Sequence, residues 1–270
     1  MNPSEIKVLL EKLGGAPNKR LGQHFLIDGA TLETIVEAGE IQEGDTVLEI
    51  GPGLGVLTNE LLDRGANVIA IEKDKRYAAY HESRKLKNLK IVLGDAIQLD
   101  WLKLVGKKPW KFIANLPYAI TSYALRLGLW SKHPPECMVV LVQKEVAERA
   151  ISRDGKQSLL SLMVALVSSE MRILRKVPPG CFYPPPRVDS AVLYVKPMPV
   201  KDRANHWGIE PEQIMLLAKK GFAKPRKLLR SNIDVSEDQS QAWESLGINP
   251  KARAEDLSPR QWAELAKTVK

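Results

Sequence analysis

From Thr46 onward the chain alternates between short β-rich apolar runs and amphipathic helical stretches, and no other feature limits its fold as tightly. TVLEI (46–50), NVIAIE (67–72), LKIVL (89–93), KFIAN (111–115) and CMVVLVQ (137–143) read as strands. Nearly unbroken apolar runs belong to strands buried on both faces of a parallel sheet. Between them, 56–63, 75–84, 121–130 and 144–152 carry helical periodicity. Strand and helix in alternation predict a doubly wound α/β fold. MRILRKV (171–177) and SAVLYV (190–195) add two strands, separated by the proline-rich CFYPPPRVD. They fit a closing antiparallel pair at the edge of an otherwise parallel sheet.

Past Pro199 the strand-like runs stop, and 209–222, 236–246 and 258–268 are helical in pattern. A small all-helical domain is expected over 201–270, after a first domain over 1–200, with the boundary near 199–205. A length of 270 residues suits that division. Neither Cys137 nor Cys181 has a His or Cys at metal-ligand spacing, and the histidines at 24, 81, 133 and 206 are scattered. Reduced thiols, a cytoplasmic location and no metal are therefore expected. MNPSEIKVLLEKLGG carries Glu5 and Glu11 and lacks a signal-peptide core, and Leu159 to Val167 is too short an apolar stretch to cross a membrane. Forty Lys and Arg against 32 Asp and Glu leave a net charge of +8. That excess favours a polyanionic partner, because each neutralised phosphate releases counterions.

The first strand run leads into EIGPGLG (49–55), which opens a helix. Glycines here let the backbone turn sharply and let a ligand approach without a Cβ in the way. Gly51, Gly53 and Gly55 are spaced G-x-G-x-G, whereas the dinucleotide fingerprint is G-x-G-x-x-G. Glu72 ends the second run, where such folds place a carboxylate on ribose hydroxyls. Asp95, in LGDA, ends the third and can accept from an adenine amino group; the bland reading of such an Asp is a helix N-cap. Gly51, Glu72 and Asp95, at three successive strand ends, resemble the class I S-adenosylmethionine methyltransferases.

The fourth run ends in N-L-P-Y, Asn115 to Tyr118. An adenine exocyclic nitrogen is a poor nucleophile, because its lone pair is delocalised into the ring. Two neutral acceptors aimed at its N–H bonds, the Asn115 side-chain oxygen and the Leu116 carbonyl, orient it and push it toward tetrahedral geometry. Pro117 keeps Leu116 extended, which fixes the aim of that carbonyl. Tyr118 offers a π face on which the base can stack. No strong base is needed before attack, so positioning supplies most of the acceleration. In isolation the string would read as strand-to-turn punctuation; one strand after a complete cofactor constellation, it reads as a methyl-acceptor site.

From about Asn18 to its end the chain resembles the KsgA/RsmA family of small-subunit ribosomal RNA adenine dimethyltransferases. KRLGQHFL (19–26) is similar to the family's N-terminal motif, which reaches over the cofactor and implies contacts from His24 and Leu26. EIGPGLG, Glu72, GDA (94–96) and NLPY match in order and spacing, as does LVQKEVAERA (141–150). FYPPPRVDSAV (182–192) matches F-x-P-x-P-x-V-x-S, whose Phe lies against the target base in the family, and this implies that role for Phe182. GFAKPRKLLRSNI (221–233) and RAEDL (253–257) resemble its helical C-terminal domain. The chain departs from the pattern at His24, where many relatives have Asn, at Ala119, where Asn is frequent, and at Gln157–Ser158, which replaces a Tyr-Gly pair in a loop near the RNA. The resemblance implies a monomer that uses S-adenosylmethionine and no metal. It implies methylation of N6 of two adjacent loop adenosines near the 3′ end of small-subunit (16S) rRNA, within an immature small subunit.

Residues 219–230 hold Lys219, Lys220, Lys224, Arg226, Lys227 and Arg230 with no acid among them. A charge run is usually a solvated helix face, but in this context Lys224, Arg226, Lys227 and Arg230 are candidate phosphate contacts. Residues 1–200 carry 27 bases and 22 acids and 201–270 carry 13 and 10, so the footprint is expected on both domains, Lys19 and Arg20 included. Three other readings stay open. Glycine spacing and NLPY speak against a nicotinamide dehydrogenase. RKLLR and RAEDL speak against the macrolide-resistance family that methylates large-subunit rRNA. Intact NLPY, Glu72 and Asp95 speak against a non-catalytic assembly factor on the same fold.

Overall fold

The computed structural model describes residues 1–18, 22–152, 157–233, 243 and 245–268. Lys19 and Arg20, and most of the expected 236–246 helix, lie outside the described residues. In chain order the elements begin α1 (Pro3–Lys12), β1 (Phe25–Leu26), α2 (Gly29–Ala38), β2 (Thr46–Ile50), α3 (Val56–Asp63), β3 (Asn67–Glu72), α4 (Lys75–Ser83) and β4 (Leu89–Leu93). They continue with α5 (Trp101–Val105), β5 (Trp110–Asn115), α6 (Thr121–Leu129), β6 (Met138–Gln143), α7 (Lys144–Ala150), α8 (Leu159–Ala165) and β7 (Ser168–Val177). β8 (Phe182–Tyr183), β9 (Ser190–Pro197), α9 (Val200–Trp207), α10 (Pro211–Gly221) and α11 (Pro259–Thr268) complete them. No helix among the described residues is long and apolar enough to cross a membrane.

Seven strands form one sheet in the order β4-β3-β2-β5-β6-β9-β7. The five from β4 to β6 are parallel and β9 is antiparallel to β6, so the fold is the expected doubly wound α/β sheet with an antiparallel addition. β9 inserts beside β6, and β7, although earlier in sequence, takes the outer edge. β5 and β6 are buried at every position but the last, as their apolar runs predict. LKIVL departs from that reading. As the outermost strand β4 has a neighbour on one side only, and Leu93 is half exposed. Polar residues set the helix starts: Asp28 Oδ2 accepts from Thr31 N at 2.8 Å to cap α2, and Asp74 and Asp100 cap α4 and α5 in the same way.

Two compact units divide the chain. The first is Met1–Ala147 with Glu170–Pro197, and it contains the sheet core, in which Ile35 and Val36 of α2 pack with Val47, Leu61, Ile113, Val139 and Val192. The second joins Met198–Lys270 to Glu148–Ser169, so it is not the contiguous block 201–270 that the strand pattern predicts. The reason is α8, whose apolar LLSLMVA packs against α10. The Gln157 amide donates to the Glu255 carbonyl at 2.9 Å, tying the earlier segment to RAEDL. Ser158 caps α8 through a capping box, so the Gln157–Ser158 pair has a helix-starting function here.

Candidate active site

β3 and β4 lie on one side of β2 and β5 and β6 on the other. Open α/β sheets form a crevice at such a switch point, beyond the carboxyl ends of the strands. The cavity found there is lined by His24, Leu26, Gly51, Glu72, Asp95, Asn115, Leu116 and Tyr118, eight of the nine residues singled out from the sequence for cofactor and base.

Its floor is the glycine turn. Gly55 has φ +87°, and a Cβ added to it would stand 2.7 Å from His81 Cε1, so only glycine fits. The Gly53 amide donates to Glu72 Oε2 at 3.1 Å and the Asp74 amide to Oε1 at 2.7 Å. These bonds hold the carboxyl between the turn and the start of α4. Burial nevertheless raises its pKa above the ordinary carboxylate value. Asp95 behaves oppositely. The Lys73 ammonium, 2.7 Å from Oδ2, lowers its pKa, while Oδ1 accepts from the Ile97 amide at 3.2 Å. It thus caps the following turn and still lines the cavity. Acceptors at two adjacent strand ends, with Ile50, Ile71 and Leu26 between and around them, suit a ligand that carries hydroxyl and amine donors on a flat apolar body.

The acceptor end is built from NLPY. Leu116 N donates to the Leu141 carbonyl at 3.1 Å, which locks the loop to β6. Asn115 Nδ2 donates to the His24 carbonyl at 3.2 Å, so its amide nitrogen is engaged, and Oδ1 has no such partner among the described residues. Tyr118 places its hydroxyl 2.6 Å from Ser190 Oγ, and its ring stacks with that of His24 at 6.1 Å between centroids, 19° from parallel. Burial raises the phenol pKa, so it stays protonated.

Phe182 is the exception. It does not line the cavity; it is buried in the sheet core with Leu26, its partner in the β1–β8 ladder. Its ring packs on Leu26, which itself lines the cavity, so the β1–β8 ladder sets Phe182 directly behind the cavity wall. The same ladder brings the proline run to the N-terminal motif, and His24 Nδ1 lies 2.7 Å from the Pro184 carbonyl oxygen.

Sequence reading missed Glu49. It is fully buried on the cavity wall and accepts from Thr58 Oγ1 at 2.8 Å. Desolvation, with the Glu72 charge nearby, pushes its pKa up to about 8. The available signal was a carboxylate inside an otherwise apolar strand run. Also missed was Gln23, which donates to Asp74 and accepts from the Tyr77 hydroxyl at 3.1 Å, anchoring the N-terminal motif to α4. In the second unit, Lys224, Arg226, Lys227 and Arg230 are all exposed.

The family model described as ribosomal RNA adenine dimethylase matches residues 15–270. The chain belongs to that family. Membership makes it an S-adenosylmethionine-dependent enzyme that dimethylates adenine in ribosomal RNA. Among curated relatives, "Ribosomal RNA small subunit methyltransferase A" of Dehalococcoides mccartyi is 38% identical over 267 residues, 96% of this chain and 90% of that protein. The protein of the same name from a Nostoc species is 36% identical over 266 residues, 93% of this chain and 97% of that one. Among solved structures, a dimethyladenosine transferase from Plasmodium falciparum superposes with a TM-score of 0.74 at 25% identity, covering 90% of this chain and 96% of that one. The 23S rRNA methyltransferase ErmE gives 0.71 at 25% identity, covering 91% and 99%.

Proposed function

We propose that this family member acts on the small-subunit rRNA, converting two adjacent loop adenosines near its 3′ end to N6,N6-dimethyladenosine within an immature subunit, as a cytoplasmic monomer without a metal. The observation that carries the chemistry is Asn115. With Nδ2 engaged by the His24 carbonyl, its free atom in the cavity is the acceptor Oδ1. S-adenosylmethionine supplies a sulfonium methyl when bound, and the cavity lining fits it: Glu72 accepts from the ribose hydroxyls, Asp95 from the adenine amine, and the Gly51 turn and the His24–Leu26 segment surround the rest. Asn115 Oδ1 and the Leu116 carbonyl each hold one N–H of the target amine, while Tyr118 stacks the base. A monomethylated amine keeps one N–H and turns its methyl away, so the same site accepts a second round. Lys224, Arg226, Lys227 and Arg230 contact RNA phosphates.

The structural likeness to ErmE favours a large-subunit substrate as the second reading. The relatives at 36–38% identity carry a small-subunit name over nearly the whole chain, which weighs against it. Nucleoside analysis after exhaustive reaction with unmodified small and large subunits tests both. The expected product is dimethyladenosine in the small subunit; monomethyl product alone, or methylation of large-subunit rRNA only, refutes the proposal. Asn115→Ala is expected to lower kcat by about 10²-fold through lost positioning.

A further inference from the structure

We propose that the His24 side chain is the proton acceptor for the newly methylated amine, an inference that rests on the methyl-acceptor reading of the NLPY site. Three contacts define its state. A carbonyl oxygen only accepts, so the 2.7 Å contact with Pro184 puts the ring proton on Nδ1 and leaves a bare lone pair on Nε2. The His24 main-chain carbonyl accepts from Asn115 Nδ2, joining the residue to the side chain that holds the target amine. Its ring neighbours that of Tyr118, with 6.1 Å between centroids and 19° from parallel, so the imidazole flanks the tyrosine proposed to stack the base.

Among the described residues, His24 contacts Asn115 at the end of β5, Tyr118 just beyond it and Pro184 after β8. The titratable groups elsewhere on the cavity wall are engaged with one another or with backbone: Glu49 with Thr58, Glu72 with the Gly53 and Asp74 amides, Asp95 with Lys73. Tyr77 has its hydroxyl on Gln23, and Tyr118 has its own against Ser190. None of these contacts involves the imidazole.

In the reaction, the N6 lone pair bonds to the sulfonium methyl carbon as the carbon–sulfur bond breaks and its electron pair passes to sulfur. N6 then carries the positive charge, which is discharged when one N6 proton moves to His24 Nε2. The resulting imidazolium keeps its Nδ1–H on Pro184 and returns the Nε2 proton to water before the next transfer. An Asn at this position makes no such transfer, which turns the departure at position 24 into a difference in chemistry.

Two measurements test this. Nitrogen-15 spectra of the ligand-free protein should show the His24 imidazole protonated at Nδ1 and bare at Nε2; the opposite tautomer overturns the proposal. Single-turnover methylation of unmodified small subunits is then compared for the wild type and His24→Asn across a series of buffers from acid to alkaline. The wild type should lead by about tenfold or more at the alkaline end, with the ratio collapsing toward one at the acid end. His24→Gln should behave like His24→Asn if the missing lone pair is the cause. A ratio that does not change with pH overturns the proposal and leaves His24 a positioning residue. Dimethyladenosine formed by the wild type in that case keeps the proposed function standing, whereas no methylation of the small subunit by the wild type removes both.

Discussion

Glu49 is a carboxyl group held where water does not reach, and its chemistry follows from that. An isolated buried carboxylate is costly, so the side chain keeps its proton until about pH 8, and Thr58 donates a hydrogen bond to it. The native state therefore binds a proton more tightly than the unfolded chain, whose value is near 4.5. Stability from this group is full below 4.5 and is lost as pH rises toward 8. Glu49→Gln keeps an acceptor for Thr58 and removes the titration. Melting temperatures should diverge in favour of Gln as pH rises from 5 to 8.5, and a difference independent of pH counts against the account. At this scale the sequence was informative where a residue's chemistry is demanded by its neighbours, as with Gly51, Glu72 and Asn115. It was silent where a tertiary contact decides, as with the pairing of β8 with β1 that sets Phe182 against Leu26.

The glycine turn and α3 act as one element. Gly55 is the left-handed N-cap of α3, and beneath it converge His81 Cε1, Arg84 Nη1 and Asn59 Oδ1. Gly55→Ala adds both an unfavourable φ and a contact at 2.7 Å. It should destabilise the first unit by roughly 1–3 kcal/mol and weaken S-adenosylmethionine binding, as read by urea unfolding and titration calorimetry; wild-type values in both would refute the packing argument. Elements with strong periodicity were legible in the sequence: all five parallel strands and the helices α3, α4 and α6 between them lie where their apolar pattern put them, to within a few residues, whereas the five-residue α5 (Trp101–Val105) is too short to show a period. The two-residue β1 and β8 have no periodicity to read, yet their ladder assembles the His24 end of the cavity. Nor does periodicity give strand order, which is why β7 and β9 could be recognised as strands but not ranked.

At the scale of the whole molecule, the charge on the second unit bears on RNA. Replacing Lys224, Arg226 and Lys227 together with Gln should weaken binding to a small-subunit rRNA hairpin and flatten its salt dependence. The expected change in slope is about 0.7 per lost contact on single-stranded RNA. An unchanged slope means that these side chains touch water alone. The sheet order has a consequence for how the molecule is made. β7 leaves the ribosome before β9, yet its place in the sheet is reached only through β9. Translation stopped short of residue 190 therefore yields a nascent chain with β6 lacking its outer partner and β7 unattached, two open edges that the arrival of a single later strand closes together.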